Sequence, residues 1–283
     1  MSTSNQTYKE LAIPYFKEVF DCIDEVMLKL NVPYYLIGAS AIALELLKKG
    51  IKPSRGTKDI DFAIMISSIQ EFELIVEELG KHDFNKVAAP WTLYNDKFNI
   101  VIDLLPFGEI EEKFTVNFNQ RHTGLHVLGF SEVLDKSETV QIEEKSIQIP
   151  SLPGMIILKL IAWSDRPEER DNDLYDILRI IEHYFDLNYD EIIEHHHDTF
   201  TDLEVFDQLK IAARVLGRKA SQFLNISEAI NNRILKTINV NIIDPKNSAI
   251  AKQWIKDKEW DLEYAVQILE EFKLGLIERK QVI

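Results

Sequence analysis

Two aspartates one residue apart, Asp59 and Asp61, interrupt an otherwise apolar run, DIDFAIMI over 59–66. In a strand, side chains alternate, so both carboxylates point to one face while Ile60, Phe62, Ile64 and Ile66 point to the other. The apolar row belongs in a core, which fixes the register and aims the acids away from it. Two acids on one face repel each other unless a cation sits between them. Oxygen ligands of this kind suit Mg²⁺, which binds one or two carboxylates together with waters and substrate phosphates.

The flanking segments extend this reading. Upstream, the apolar stretch Tyr34 to Ile37 turns through Gly38, Ala39 and Ser40 into a helical pattern. Backbone N–H groups and the Ser40 hydroxyl then stand at a helix N-terminus, where phosphate binds. Downstream, Asp103 lies in a second strand-like run, KFNIVIDLL from Lys97 to Leu105. An acid among Ile100, Val101, Ile102 and Leu104 is costly without a partner, and a neighbouring strand would bring it to the same cation. Three carboxylates can hold two metals, one activating an attacking hydroxyl and one neutralising a triphosphate and its leaving group. Asp103 is also placed to accept the hydroxyl proton. Five basic residues with no acid among them (Lys48, Lys49, Lys52, Arg55, Lys58) precede the pair; they suit a triphosphate or an acceptor backbone, and equally a solvated loop.

In this order of parts the sequence resembles the nucleotidyltransferase superfamily that includes DNA polymerase beta and the antibiotic nucleotidyltransferases. The nearer resemblance is to AbiEii-type nucleotidyltransferases, toxins of type IV toxin–antitoxin systems. It is carried by Gly38-Ala39-Ser40, Arg55 to Asp61, Lys159, and Asp173 with Asp176; it departs from the family's turn at Ala39, which stands in place of the second glycine. The resemblance implies an α/β (α+β) fold, a nucleotidyltransferase-like mixed sheet with flanking helices followed by a mostly helical C-terminal domain, with an NTP in the cleft between. Gly38, Ala39, Ser40, Arg55 and Lys58 would bind the nucleotide. Asp59, Asp61 and Asp103 would hold Mg²⁺, or Mn²⁺ in its place. Lys159 would meet the β- or γ-phosphate, and Asp176, preferred over Asp173, would position Lys159 or the acceptor. The implied reaction moves an NMP to a hydroxyl at a tRNA end or on a protein, and an antitoxin is the implied partner. Two other functions fit the residues: an antibiotic-type small-molecule nucleotidyltransferase, for which acidity suits a cationic acceptor, and a non-catalytic nucleotide-binding or interaction module that kept the fold.

The chain divides around Ile149 and Pro150 into 1–150 and 151–283. Before the site, Ala12, Phe16, Val19, Phe20, Ile23, Val26, Met27 and Leu30 recur at helical spacing. Val140 to Ile142 and Ser146 to Ile149 read as a hairpin turning through Glu143, Glu144 and Lys145. Beyond it, Ser151 precedes a helical run with Pro153 in its first turn and Lys159 amid apolar neighbours. A second helix starts near Asp171, so Asp173 and Asp176, three apart, share a face. Asn225, Asn239 and Asp244-Pro245 mark later breaks.

The 283 residues, 46% hydrophobic, suffice for a sizeable core in two domains. One cysteine, Cys22, allows no internal disulfide and fits a reducing compartment as a small buried hydrophobe. The polar start MSTSNQTYKE and the lack of a membrane-length apolar run point to a cytoplasmic protein with no membrane partner. A formal charge of −15 argues against general nucleic-acid binding, which depends on Lys and Arg meeting phosphates. Glu194-His195-His196-His197-Asp198 reads as a helix end rather than a metal cluster, since consecutive histidines do not converge on one ion. Arg218 is read as part of a solvated face or as a nucleic-acid contact. Of the four tryptophans, only Trp91, in a loop between site strands, is placed to stack on a base.

Overall fold

The computed structural model describes residues 7–53, 59–87, 89–118, 123–201 and 205–278. The chain splits into two compact units, Met1–Ser151 and Leu152–Ile283.

The first unit opens with a 3₁₀ turn (Tyr8–Leu11) and helix α1 (Phe16–Leu30). Periodicity carried that helix back to Ala12, but Ala12 and Tyr15 both adopt left-handed backbone (φ 55° and 57°), which a right-handed helix cannot continue through. Phe16, Val19, Phe20, Ile23, Val26 and Met27 form its buried face. Cys22 is half-buried on α1, and burial raises its thiol pKa, which disfavours the reactive thiolate. Then follow β1 (Tyr34–Ile37), α2 (Gly38–Leu47), β2 (Asp59–Met65), α3 (Ile69–Gly80), β3 (Phe84–Lys86), β4 (Thr92–Asn95) and β5 (Ile100–Phe107). The five strands form one sheet in the order β1-β2-β5-β4-β3. Only β2 and β5 run parallel; the other neighbours are antiparallel. Helix α2 packs against β1 and β2, and α1 against α3. Phe16, Phe20, Phe62, Phe72, Phe84 and Phe107 are the large, fully buried rings of this core.

The unit ends with hairpin β6 (Thr115–Phe118) and β7 (Thr123–His126), helix α4 (Phe130–Leu134), and hairpin β8 (Glu138–Ile142) and β9 (Lys145–Ile149). Lys145 pairs with Ile142, so the second hairpin turns on Glu143 and Glu144 alone, shorter by one residue than expected; Glu143 takes the positive φ, 47°, that so tight a turn needs.

The second unit is helical among its described residues: α5 (Leu152–Asp165), α6 (Asp171–Leu187), α7 (Tyr189–His195), α8 (Asp198–Thr201), α9 (Gln208–Ile226), α10 (Glu228–Ile243), a 3₁₀ turn (Pro245–Asn247), α11 (Ala249–Trp254) and α12 (Leu262–Ile277). Helix α5 is apolar almost all round and packs against α6, α9 and α10, as a helix in the middle of a core must. Helices α9 and α12 approach closely at two glycines. A Cβ on Gly217 would lie 2.1 Å from the Phe272 carbonyl oxygen, and one on Gly275 would lie 2.0 Å from that of Arg214. The break expected at Asn239 is absent, because that residue lies inside α10; the modest helix penalty of asparagine is outweighed by packing of Ile234 and Ile238. The chain does break after Asn225, at Ser227, and at Asp244-Pro245. No helix among the described residues is long and apolar enough to cross a membrane.

Candidate active site

Strand β2 carries Asp59 exposed, Ile60 buried, Asp61 half-buried and Phe62 buried, the alternation expected of a strand with one face in the core. Its two neighbours bring the other parts of the site into one row. On the parallel side Asp61 stands directly opposite Asp103, while Asp59 faces Val101; adjacent strands lie about 4.8 Å apart. Ile102 and Leu104, flanking Asp103, are fully buried on the opposite face. On the antiparallel side Ile37 faces Asp61, and the chain turns immediately into α2 through Gly38.

Gly38 has φ +68°, and a Cβ there would lie 2.1 Å from Asp61 Oδ2. Both the left-handed backbone and the close approach therefore require glycine. The start of α2 is held against the Asp61 carboxylate, so helix N-terminal N–H groups and the carboxylate row share one locality. Gly38 and Ala39 are half-buried. Ser40 is placed differently from the sequence expectation: the helix begins at Gly38, which makes Ser40 part of its first turn, only 1% exposed. Its Oγ is buried with no hydrogen-bond partner among the described residues. The exposed part of the turn is thus Gly38 and Ala39.

The sheet adds a residue that sequence reasoning missed. Thr92 on β4 stands opposite Asp103, and its Oγ1 donates to Asp103 Oδ1 at 2.5 Å. Nothing in the motif pattern marks Thr92; only the β4–β5 register does. Trp91 beside it is half-buried, its ring tilted against Phe118 at 5.6 Å, and its carbonyl accepts from the Leu104 N–H at 2.8 Å. It packs there.

Among the described residues no three His, Cys, Asp or Glu side chains form a ready-made cation site. What the sheet assembles is a pair, Asp61 and Asp103 in register, with Asp59 two residues along on the same face. A carboxylate pair completed by phosphate oxygens and waters is how Mg²⁺ is commonly held, so these residues fit the ion in company with a triphosphate. Of the basic run, Lys48 pairs with Glu45 at 2.5 Å and reaches Glu138 at 3.9 Å. Arg55 and Lys58 lie outside the described residues.

In the second unit, Lys159 on α5 is 8% exposed. Its Nζ lies 2.8 Å from Asp173 Oδ1 and 2.8 Å from Asp176 Oδ2. Burial opposes the charge on Lys159, but Asp176 and Asp173 outweigh it and raise the pKa above the ordinary lysine value. Three residues apart on α6, Asp173 and Asp176 both reach the same ammonium. They take two of its three donors.

The remaining candidates are structural. Helix α7 ends at His195, and His196 is buried with Nδ1 3.2 Å from Arg218 Nη1. Arg218 is neither solvated nor presented outward; its side chain is 10% exposed and pairs with Asp198 and Glu278.

Residues 31–261 match the family model described as nucleotidyl transferase AbiEii toxin, type IV TA system. The chain belongs to the AbiEii nucleotidyltransferase family. As a member it is a transferase, with the mixed sheet and helical C-terminal region expected from the sequence. Solved structures similar to this AbiEii-family chain include an antigenic nucleotidyltransferase-like protein from Paracoccidioides brasiliensis, at 16% identity over 73% of this chain and 94% of that one, TM-score 0.40. The lincomycin-bound lincosamide antibiotic adenylyltransferase LnuA matches at 16% identity over 62% and 96%, TM-score 0.37. The CdnE cyclic dinucleotide synthase of Elizabethkingia meningoseptica matches at 12% over 94% and 92%, TM-score 0.31. No curated protein sequence matches the chain.

Proposed function

We propose that this AbiEii-family protein transfers an NMP from an NTP to a hydroxyl acceptor at the row formed by Asp61 and Asp103, with Asp59 beside it. The observation that carries this reading is the register Asp61 opposite Asp103 beneath the Gly38 turn, which sets paired acids and a helix N-terminus around one locality. The acceptor oxygen attacks the α-phosphorus, the bond from that phosphorus to the bridging oxygen breaks, and pyrophosphate leaves with the electron pair. The acceptor proton passes to Asp103, which sits in reach of the same row. Asp61 and Asp103, with Asp59, would hold Mg²⁺, or Mn²⁺ in its place, which when bound neutralises charge on the phosphates. Backbone N–H groups at Gly38 and Ala39 orient phosphate. Lys159 is kept charged by its two acids within the helical unit. The family description, a toxin of a type IV toxin–antitoxin system, supports an antitoxin partner; the acceptor in this reading is a tRNA end or a protein hydroxyl.

The test is transfer of label from each of the four NTPs, marked at the α-phosphate, to total tRNA, to the protein itself, or to a cationic aminoglycoside, in Mg²⁺. Transfer to one acceptor class, lost in Asp61→Ala, is the expected result. Transfer that survives Asp61→Ala and Asp103→Asn sinks the site.

A further inference from the structure

Resting on that reading of the row, we infer that Thr92 is a positioning residue for Asp103. A carboxylate is free to rotate about its terminal Cβ–Cγ bond, because that torsion has broad, roughly two-fold minima. A donor held at a fixed point removes the freedom. Thr92 is such a donor: its Oγ1 is 2.5 Å from Asp103 Oδ1, in the range of a charge-assisted O–H···O⁻ bond. The donor is itself fixed from behind. Thr92 N–H donates to Ala89 O at 3.1 Å, Thr92 O accepts from Val87 N–H at 3.2 Å, and Leu93, next in the strand, is fully buried. The strand pairing places Thr92, Asp103 and Asp61 in one row across three strands. The threonine thus ends the row on one side, and the Gly38 turn ends it on the other. A neutral hydroxyl suits this position because it orients the carboxylate without cancelling its charge. A lysine or arginine there would compete with a bound cation. Partners of this kind behind a metal-binding carboxylate are worth about ten- to a hundredfold in affinity or activity.

The test is Mn²⁺ binding to the full chain, read by electron paramagnetic resonance of the free ion, in wild type, Thr92→Val, Thr92→Ser, Asp103→Asn and the Thr92→Val/Asp103→Asn double variant, each with a thermal unfolding curve. Valine keeps the strand-favouring branched shape and loses only the hydroxyl; serine keeps the hydroxyl. The expected result is Mn²⁺ binding weakened about ten- to a hundredfold in Thr92→Val, restored in Thr92→Ser, and no further loss from Thr92→Val once Asp103 is asparagine. Wild-type affinity in Thr92→Val, failure of serine to rescue, or losses that multiply in the double variant overturn the positioning role alone, provided Asp103→Asn has itself weakened binding measurably. Binding that is absent in wild type or intact in Asp103→Asn overturns the cation reading of the row and the role of Thr92 with it.

Discussion

The carboxylate row of the first unit and the Lys159 set of the second use the same residue type in opposite ways. On the sheet, acids are set beside acids: Asp61 faces Asp103 in register, the hydroxyl of Thr92 steadies the second, and both remain half-exposed. In the helical unit, acids are set against a base: Asp173 and Asp176 close on one buried ammonium at 2.8 Å each, and Arg170 reaches Asp173 at 3.4 Å. Like charges in register cost stability and are kept where a ligand repays the cost. Opposite charges buried together hold a structure in one arrangement, and they are expensive chiefly when one member is removed.

The sharpest way to break this comparison is to take away the base. Lys159→Met leaves two carboxylates against α5 with their ammonium gone, and the expected loss is about 3–5 kcal/mol of unfolding free energy, measured by urea denaturation. Asp61→Asn removes one of two like charges at a half-exposed position and is expected to change stability by less than about 1 kcal/mol. If the two variants cost the same, the division between like charges in register and opposite charges buried together is wrong.

A smaller effect sharpens the geometry of the row. Gly38 and Gly50 both have positive φ, 68° and 72°, but a Cβ on Gly38 would strike Asp61 Oδ2 whereas one on Gly50 meets nothing within 4 Å. Gly50→Ala is expected to cost about 1 kcal/mol for the backbone alone. Gly38→Ala adds displacement of the Asp61 carboxylate, for about 2–3 kcal/mol in all, with a fall in nucleotide transfer. Equal costs in urea unfolding would show that the turn does not press on the carboxylate.

These contrasts also explain what could be read in advance. The i, i+3 spacing of Asp173 and Asp176 is local, so their shared face was legible; that both reach Lys159 needed the packing of α5 on α6. The alternation around Asp59 and Asp61 was equally local, and the strand at Asp103 was visible from its apolar neighbours. Which acid faces Asp103 depends on the parallel pairing of β2 with β5, some forty residues apart, and Thr92 enters only through the antiparallel pairing of β4. Register is a property of two segments at once. Ser40 was misplaced for a related reason. Gly38-Ala39-Ser40 reads as a turn that leads into the helix, yet α2 already starts at Gly38 and the Ser40 hydroxyl is buried. The glycine pair Gly217 and Gly275 was missed because neither lies in a motif, and close helix approach shows only when both helices are in place.

The smallest expected effect concerns the second ion set of the helical unit, which is less deeply buried than the first. Arg218 joins Asp198 and Glu278, Arg214 joins Glu278 at 2.9 Å and Glu271 at 3.8 Å, and His196 lies beside Arg218. The hydrogen bond from Arg218 holds the Asp198 carboxyl below its usual pKa. For Glu278, burial works to raise the pKa, but Arg218 and Arg214 overcome it and the net shift is downward. A carboxyl whose folded pKa is depressed stabilises the fold above its unfolded value, about 4, and loses that contribution as pH falls through the lower folded value. Lys159, with its raised pKa, behaves oppositely: its contribution is full below about pH 10.4 and is lost only as pH rises through the folded value. Comparing wild type with Glu278→Gln isolates the Arg218 set, because every other titrating group is common to both. Because Asp198 and Glu278 are partly solvated, wild type should exceed Glu278→Gln by no more than about 1 kcal/mol at pH 7, and the gap should close as pH falls from about 5 toward 3. A gap that persists in acid would mean that the glutamate acts through packing at the end of α12 and not through charge, and the contrast between the two units would then rest on the Lys159 set alone.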